Sequence, residues 1–239
     1  MNNKIVFVIP TYNESKNLPI LLKQIGDLKL ENWQAIIVDD NSPDGTSKLA
    51  EELSKKYPIS LINRNRKMGL GSAYRDGFKA ALKLKPDYII QMDADLSHET
   101  KFIKPMLQKI DDCDMVIGSR YIGGGGTENW VWFRKFISSF TNLVTRTLLQ
   151  SKIKDLTGGF KIFKADVLKF VIAQETSSVG YNFQIEVNIL CERKNYRIKE
   201  VPIVFVERTY GKSKFDFKII FESAWRIIFL AIKYAFKKS

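Results

Sequence analysis

Short apolar runs alternate with amphipathic segments through the first half of the chain. Five runs have the length and composition of buried strands, at residues 5–9, 34–38, 59–63, 87–92 and 114–118. Between them, apolar residues recur at helical spacing over residues 17–28, 46–56 and 72–84. Strands that alternate with helices of this length are typical of βαβ units. The pattern therefore predicts an α/β fold with a mostly parallel central sheet flanked by helices.

Two longer apolar segments in the second half also have a helical pattern, over residues 130–149 and 215–236. On the second, five charged residues fall in one narrow sector of the helix, and nearly all remaining positions are apolar. Such a helix either packs against the sheet or a subunit, or lies partly in lipid. No apolar run approaches the ~20 residues of a membrane-spanning helix. We expect one domain over residues 1–214, followed by a C-terminal amphipathic helix over 215–239.

The chain carries a large excess of basic residues. It has 239 residues, 45% of them hydrophobic, and a formal net charge of +12. This charge suits an anionic partner, which is a nucleic acid, an acidic membrane surface or a phosphorylated substrate. The two cysteines, Cys113 and Cys191, lack metal-binding spacing, which is typical of a reducing compartment. The first apolar run ends at Pro10 and is too short for a signal peptide, so we expect none.

Acidic residues stand at the ends of the predicted strands. Asp93 and Asp95 follow the fourth strand, Asp39 and Asp40 the second, and residues 10–14 the first. In open α/β sheets, ligands bind at the carboxyl ends of the strands. Two carboxylates one residue apart suit a hard divalent cation that keeps substrate phosphates as further ligands. The sequence therefore predicts a nucleotide-diphosphate site at this edge of the sheet.

Several of these residues also have a purely structural explanation. Asp39 and Asp40 are compatible with capping a turn, and Glu14 with a favourable interaction at the start of a helix. We favour a structural role for His98, the only histidine, over metal ligation. Glu186 is compatible with an acceptor-side role or with a paired acid in the core.

Eight segments, in this order, resemble the family 2 glycosyltransferases, and most of all the dolichol-phosphate mannose synthase group. They are PTYNE (10–14), VDDNSPDGT (38–46), RKMGLG (66–71), DADLSH (93–98), GSRY (118–121), TGGFK (157–161), GYNFQIE (180–186) and RTYGKSK (208–214). Each segment is common among sugar transferases, whereas the ordered set is specific. The resemblance covers about residues 4–214.

The resemblance implies a GT-A fold over residues 1–214 and a dependence on Mg²⁺ or Mn²⁺. It implies transfer of a hexose, with inversion, from a nucleotide sugar to a polyprenyl (dolichyl-type) phosphate, with GDP-mannose as the expected donor. UDP-glucose as donor and a polysaccharide hydroxyl as acceptor remain open. A basic nucleic-acid-binding protein is a distant alternative, because no helix-turn-helix, RRM signature or zinc-finger spacing is present. We therefore expect no nucleic-acid partner.

The resemblance also implies roles for individual residues. The nucleoside would be held by Pro10, Tyr12, Glu14, Val38 and Asp40, and the ribose and diphosphate by Asp93, Ala94 and Asp95. The metal would be held by Asp93, Asp95 and Ser97, with Asp95 the principal ligand. Arg120, Arg208 and Lys214 would bind the phosphates of the donor or the acceptor, and Arg134 would bind the lipid phosphate. The catalytic residues would be Asp95, Arg120 and Arg134.

Three departures from the group's pattern concern metal preference and sugar identity. Ser97 stands where glutamine is usual as a further metal ligand, and Glu99 and Thr100 replace a pair of prolines. Lys161 stands where arginine is usual.

The expected chemistry depends on cations more than on a base. A lipid monophosphate, with a second pKa of about 6, is already ionised near neutral pH and needs no general base. Arginine side chains would overcome the repulsion between two phosphates, and guanidinium groups suit bidentate phosphate contacts. Arg134 and Arg146 also have a plain explanation as solvated charges on an apolar helix.

Nucleotide sugars are cytosolic, and polyprenyl acceptors lie in the bilayer. We therefore expect a peripheral enzyme on the cytoplasmic face of the membrane, held there by residues 130–140 and 225–236.

Overall fold

The computed structural model describes residues 3–174, 180 and 182–207. Its strands are β1 (Ile5–Thr11), β2 (Trp33–Asp39), β3 (Ile59–Asn63), β4 (Tyr88–Gln91), β5 (Met115–Ser119), β6 (Gly126–Glu128), β7 (Lys161–Lys164), β8 (Ile198–Pro202) and β9 (Val204–Val206). Its helices are α1 (Leu18–Asp27), α2 (Thr46–Leu53), α3 (Leu70–Lys83), α4 (Ile103–Ile110), α5 (Trp132–Leu149), α6 (Ala165–Ala173) and α7 (Asn182–Arg193). A short 3-10 turn, Thr100–Phe102, precedes α4.

Within the described residues, seven strands form one sheet in the order β3-β2-β1-β4-β7-β5-β8. Strands β1 to β4 are parallel to one another, and β8 is parallel to β5. Strand β7 lies between β4 and β5 and is antiparallel to both. Strands β6 and β9 form a separate parallel pair. The mostly parallel sheet flanked by helices that the sequence predicts is confirmed.

Both faces of the sheet are covered by helices. Successive residues of a strand point to opposite faces, and β1 illustrates this clearly. Val6 and Val8 belong to a buried cluster that includes residues of α3, α6 and α7. Phe7 and Ile9 belong to a second buried cluster that includes residues of α1, α2 and α4. Burial on both faces explains why the strands of the first half are continuous apolar runs rather than alternating ones.

The elements predicted for the first half are all present. The five predicted strands correspond to β1 to β5, and their ends differ by at most two residues. The predicted helices correspond to α1, α2 and α3, although α2 ends at Leu53 because a turn follows it. The first apolar segment of the second half forms α5. The helix predicted over 215–239 and the boundary after residue 214 lie outside the described residues.

Helix α3 packs unusually close to the sheet, and Gly77 is the reason. A Cβ atom at this position would lie 2.3 Å from Val8 Cγ1 and 3.1 Å from Val38 Cγ2. Glycine therefore permits a helix-to-sheet approach that a larger residue would obstruct. The preceding turn of the helix carries Tyr74, which is fully buried and reaches the end of β4.

No helix in residues 3–174, 180 and 182–207 combines the length and hydropathy required to cross a membrane.

Candidate active site

The acidic strand ends predicted from the sequence come together at one edge of the sheet. Strand β1 has β2 on one side and β4 on the other, so the strand order reverses direction at β1. In open α/β sheets such a reversal opens a crevice outside the carboxyl ends of the strands. Residues 10–14, residues 39–44 and residues 93–98 border this crevice, since they follow or end β1, β2 and β4.

The loop after β4 holds Asp93 and Asp95 in defined positions. The Tyr74 hydroxyl donates to Asp93 Oδ1 at 2.7 Å. Asp95 Oδ1 accepts from the Ser97 amide at 3.1 Å and from the Ser97 hydroxyl at 2.5 Å. Leu96 has a φ of 66°, a left-handed conformation that is uncommon for a non-glycine residue and is frequent at functional sites. The turn at Leu96 brings Ser97 back to Asp95.

His98 supports the same loop from behind. Its Nδ1 accepts a hydrogen bond of 3.0 Å from the Asp93 amide, and its ring stacks on Phe160 with centroids 5.0 Å apart. Burial lowers the pKa of His98, and the nearby Asp93 and Asp95 carboxylates only partly oppose this effect. The imidazole is therefore neutral and has its proton on Nε2. This geometry supports the structural role that we favoured from the sequence.

A divalent cation fits the donor set of this loop. The described part of the chain contains no cluster of three or more His, Cys, Asp and Glu side chains arranged to hold a metal. Asp93 and Asp95 form a pair, and Mg²⁺ is commonly held by one or two carboxylates together with substrate phosphates. The Ser97 hydroxyl donates its proton to Asp95. The role of Ser97 as a metal ligand stays a prediction.

Asp40 organises the loop that begins α3. Its Oδ1 accepts from Arg64 Nη1 at 2.5 Å, and its Oδ2 accepts from the amides of Met68 at 3.2 Å and Gly69 at 2.9 Å. Arg64 and Asp40 are both buried, so the pair ties the 64–69 segment to the end of β2. The structure thus gives Asp40 a structural function, and its predicted contact with the nucleoside stays a prediction.

Asp39 has a comparable function in the turn after β2. Its carboxylate accepts from the hydroxyls of Thr11 at 2.7 Å, Ser42 at 2.6 Å and Ser47 at 2.6 Å. Thr11 is its partner in the β1–β2 register, so this acid joins the two strand ends. These contacts agree with the alternative role of Asp39, that of capping the turn after β2.

The other residues predicted to hold a nucleoside lie at the same edge. Pro10 and Val38 are buried in β1 and β2, and the Val38 side chain belongs to the core. The Tyr12 ring is partly exposed, with the Lys67 ammonium 3.9 Å from its centroid. The Glu14 amide donates to Thr46 Oγ1 at 3.0 Å. Their contacts with a ligand stay predictions.

Arg120 follows β5 and forms a buried ion pair with Asp155, a residue that the sequence analysis missed. Its Nε and Nη2 each donate to the Asp155 carboxylate at 2.8 Å, and Nη2 also donates to Thr157 Oγ1 at 2.7 Å. Burial alone would lower the pKa of Arg120, but the Asp155 carboxylate more than offsets it and raises that pKa. Burial likewise raises the pKa of Asp155, and the Arg120 charge lowers it below its usual range.

Arg134 lies near Arg120, on the first turn of α5. The two guanidinium groups share one aromatic partner, since the Trp130 ring centroid is 4.3 Å from Arg134 Cζ and 5.9 Å from Arg120 Cζ. Arg134 also forms an ion pair with Glu207. Trp130 Nε1 is buried and has no hydrogen-bond partner. Two guanidinium groups, each paired with a carboxylate, and one unsatisfied N–H donor therefore lie around the Trp130 ring.

Phe205 connects this cationic group with the acidic loop. Its ring centroid is 5.5 Å from the His98 ring and 5.5 Å from Arg120 Cζ. Phe205 thus links Arg120 with the acidic loop, and the phosphate contacts predicted for Arg120 and Arg134 stay predictions. Arg208 and Lys214, predicted as further phosphate contacts, lie outside the described residues.

On helix α5, polar side chains are buried and large apolar side chains are exposed. Its buried residues are Asn142, Thr145 and Leu149, two of them polar. Its large apolar side chains are exposed, with Trp132 at 77% and Phe136 at 63%. The exposed set is Val131, Trp132, Phe133, Phe136, Phe140, Leu143, Val144 and Leu148. A continuous apolar helix face beside the cationic pair is typical of an interaction surface.

Some contributors to the site were not identified from the sequence. Tyr74, Arg64 and Asp155 each hold a predicted site residue in place. Asp155 has a usable signal, since it stands two residues before the TGGFK segment. Arg64 has the same kind of signal, since it stands two residues before the RKMGLG segment, whereas Tyr74 lies outside the eight segments.

Paired acids at the reversal of strand order are typical of a ligand-binding α/β enzyme. A family model described as glycosyl transferase family 2 matches residues 6–171, and the chain belongs to that family.

Two relatives are similar over nearly the whole chain. An undecaprenyl-phosphate mannosyltransferase of Micrococcus luteus is 38% identical over 92% of this chain and 90% of its own length. A polyprenol monophosphomannose synthase of Mycolicibacterium smegmatis is 36% identical over 92% of this chain and 84% of its own length.

Solved structures share the fold at low sequence identity. Glucosyl-3-phosphoglycerate synthase of Mycobacterium tuberculosis, in complex with Mn²⁺, UDP-glucose and phosphoglyceric acid, superposes with a TM-score of 0.66 at 16% identity, over 95% of this chain and 77% of that chain. The mannosyltransferase PcManGT of Pyrobaculum calidifontis, in complex with GDP-Man and Mn²⁺, superposes with a TM-score of 0.64 at 16% identity, over 99% of this chain and 65% of that chain. Both superpositions support the GT-A fold.

Proposed function

We propose that this enzyme transfers mannose, with inversion, from GDP-mannose to a polyprenyl phosphate. One observation carries the acceptor part of the proposal: the Arg120 and Arg134 guanidinium groups lie 5.9 Å and 4.3 Å from the Trp130 ring centroid, next to the helix whose apolar face is exposed. A phosphate attached to a lipid needs cations beside an apolar surface, and this edge of the molecule offers both. The names of two relatives that are 36% and 38% identical support the same donor sugar and acceptor class.

The donor would lie in the crevice at β1, β2 and β4. Pro10, Tyr12, Glu14, Val38 and Asp40 would form the nucleoside end. Asp93, Ala94 and Asp95 would face the ribose and diphosphate, with Arg208 and Lys214 as further phosphate contacts.

Asp93, Asp95 and Ser97 would hold a divalent metal, Mg²⁺ or Mn²⁺. The chemistry that a bound cation supplies there is neutralisation of the negative charge on the leaving diphosphate. Tyr74 fixes Asp93, and Ser97 fixes Asp95, so the carboxylates are oriented before the donor binds. Such preorganisation is usually the largest contribution to catalysis of this type.

The acceptor phosphate would bind at Arg120, Arg134 and the Trp130 indole nitrogen. A phosphate monoester is ionised near neutral pH, so an oxygen nucleophile is present without a general base. Asp155 fixes the plane of the Arg120 guanidinium, and the ion pair keeps that group charged. The arginines would reduce the repulsion between the acceptor phosphate and the donor diphosphate, which permits in-line attack on the sugar.

The acceptor assignment is tested by supplying matched lipids. Purified enzyme is incubated with Mn²⁺, a panel of GDP- and UDP-sugars, and either a polyprenyl phosphate or the free polyprenol, and lipid products are identified by mass spectrometry. We expect polyprenyl-phosphate mannose from GDP-mannose and no product from the alcohol. Equal reaction of the alcohol would refute the role of the cations, and a glucosylated product from UDP-glucose would refute the donor assignment.

We also propose that α5 contacts the membrane surface from the cytoplasmic side, where nucleotide sugars are found. The exposed side chains of Trp132, Phe133, Phe136 and Phe140 would enter the interface, and Lys135 would meet anionic headgroups. Each basic residue near an anionic surface contributes about 1 kcal/mol, which fades within a Debye length.

Sedimentation with vesicles tests the membrane contact. Wild-type protein should bind anionic vesicles and be released in part by high salt. The double variant Phe136→Ser, Phe140→Ser should bind more weakly, whereas the control Lys23→Ser, at an exposed position of α1, should not differ. Equal recovery of the double variant and wild type with vesicles would refute the contact.

A further inference from the structure

A row of buried, hydrogen-bonded polar side chains lies next to the acidic loop. None of these side chains has a role in the reaction proposed above. Gln91 is the last residue of β4, and Lys161 is its partner in the β4–β7 register. Gln184, on α7, meets both side chains. Lys161 and Gln91 are fully buried, and Gln184 is almost fully buried.

The contacts fix the orientation of the Gln184 amide. Lys161 Nζ donates to Gln184 Oε1, and Gln91 Nε2 donates to the same oxygen at 2.6 Å. Lysine is only a donor, so the group that it meets must be the oxygen of the amide. Gln91 Nε2 also donates to the Gly159 carbonyl at 2.8 Å, which fixes the second amide. Gln184 Nε2 must therefore point away from Lys161.

The opposite side of the Gln184 amide faces the acidic loop at Gly159. A Cβ atom on Gly159 would lie 3.7 Å from Gln184 Nε2, 3.7 Å from Asp93 Oδ2 and 3.3 Å from His98 Cε1. The donor end of the amide and the rear of the Asp93 carboxylate thus converge on one glycine. The hydrogen-bonded side chains of Lys161, Gln184 and Gln91 therefore reach from β7 to Gly159, which lies beside the acidic loop.

Keeping Lys161 in this position is unfavourable for folding. The acceptor of its ammonium is a neutral amide oxygen, and a buried charge without a charged partner is costly. Burial lowers the pKa of Lys161 to about 7, despite the opposing effects of Cys191, Asp155 and Asp93. Buried groups with strongly shifted pKa values cluster at functional sites, where a less stable arrangement holds functional side chains in position.

We propose that Lys161 is a positioning residue for the acidic loop: together with Gln91 it locks the Gln184 amide against Gly159, the glycine beside which the Asp93 carboxylate and the His98 ring lie. This inference rests on the proposed function, because it assumes that Asp93 faces the donor diphosphate. Lys161 itself touches neither substrate, so it acts through Gln184.

The first test is Lys161→Met, which keeps the length of the side chain and removes the charge. Gln184 Oε1 retains its bond from Gln91, so no new unsatisfied acceptor arises. We expect Tm to stay equal or to rise, because a buried cation is removed, while kcat/KM falls at least ~10-fold, as displacement of a reacting group does. Lys164→Met, the same change at the other end of β7, is the control and should keep wild-type activity.

A second pair of variants separates positioning from packing. Lys161→Arg keeps a donating cation and should restore most of the activity that Lys161→Met loses. Gln184→Glu keeps the contact with Lys161 but replaces the amide nitrogen beside Gly159 by a carboxylate oxygen, which adds negative charge on the side of Gly159 where Asp93 lies. This variant should lose activity while remaining folded. A lower Tm in Lys161→Met, with activity falling only as the folded fraction falls, would show a merely structural role and overturn the inference.

A binding measurement keeps this inference separate from the identity of the acceptor. Calorimetry with GDP and Mn²⁺ should show affinity at least ~10-fold weaker in Lys161→Met than in wild type, on the same positioning argument. Unchanged affinity together with unchanged turnover would overturn the inference. If wild type forms no glycosyl lipid but Lys161→Met weakens GDP binding, the proposed acceptor is wrong and the positioning role stands.

Discussion

Asp155→Asn is the substitution whose consequences the structure defines best. The carboxylate accepts from Arg120 Nε and Nη2 at 2.8 Å each and from the Arg120 amide at 3.0 Å. Both side chains are buried, with 9% and 0% exposure. The neutral amide leaves the Arg120 charge in a buried environment without its counter-charge, and one amide hydrogen-bond donor replaces an acceptor.

The magnitude follows from that burial. Breaking a buried ion pair by removing one partner costs about 3–5 kcal/mol. For a chain of this size, 1 kcal/mol corresponds to a Tm change of about 2–4 °C, so Tm should fall by roughly 6–20 °C. Turnover should also fall, because the guanidinium loses the partner that fixes its plane beside the proposed acceptor site.

The pH dependence has a definite sign. The folded-state pKa of Asp155 is lowered, so the stability that it contributes is fully present above its unfolded pKa of about 3.9 and is lost as pH falls through the folded-state value. The Tm difference between wild type and Asp155→Asn should therefore be constant from about pH 5 to pH 8 and narrow only below about pH 4.

Thermal unfolding followed by circular dichroism measures these changes, with Asp114→Asn as the matched control. Asp114 also pairs with an arginine, Arg197, but that arginine is largely exposed. Its removal should change Tm little, since exposed ion pairs are screened by water and salt. A loss of Tm in Asp155→Asn no larger than in the control would refute the reasoning.

Three further predictions concern single side chains. Asp95→Ala should reduce kcat at least ~100-fold, as loss of a major electrostatic stabiliser does, and its Tm is measured to confirm that it folds. Full activity of this variant, or full activity of the wild type in excess chelator, would contradict the metal assignment. Trp130→Phe should raise the KM for polyprenyl phosphate more than that for GDP-mannose, because phenylalanine keeps an aromatic ring but lacks the indole N–H and the second ring. Steady-state kinetics with each substrate varied would reveal equal changes if this is wrong. Gly77→Ala should lower Tm, because about 1–3 kcal/mol of overpacking against Val8 exceeds the roughly 1 kcal/mol gained in helix propensity. The control Gly26→Ala, whose Cβ would lie 3.5 Å from Tyr57, should leave Tm equal or higher.

The sequence by itself determined the parallel half of the fold and the acidic edge. Hydrophobic period and length are local properties, so β1 to β5 and helices α1 to α3 could be predicted within a few residues. Asp93 and Asp95 followed from the same information, because the carboxyl ends of parallel strands must meet at one edge. The elements that were not predicted, such as β7 and α7, have polar residues within apolar segments that obscure their periods.

Only the tertiary structure decided what those polar residues do. Arg120 and Asp155 are 35 residues apart, and Lys161 and Gln184 are 23 residues apart; no local pattern relates either pair. The outward orientation of the apolar face of α5 was equally undetermined, because a helical period defines two faces without specifying which one the core covers. Long-range packing assigns the partner of each charge, and the cost of burying an unpaired charge is what makes those assignments specific.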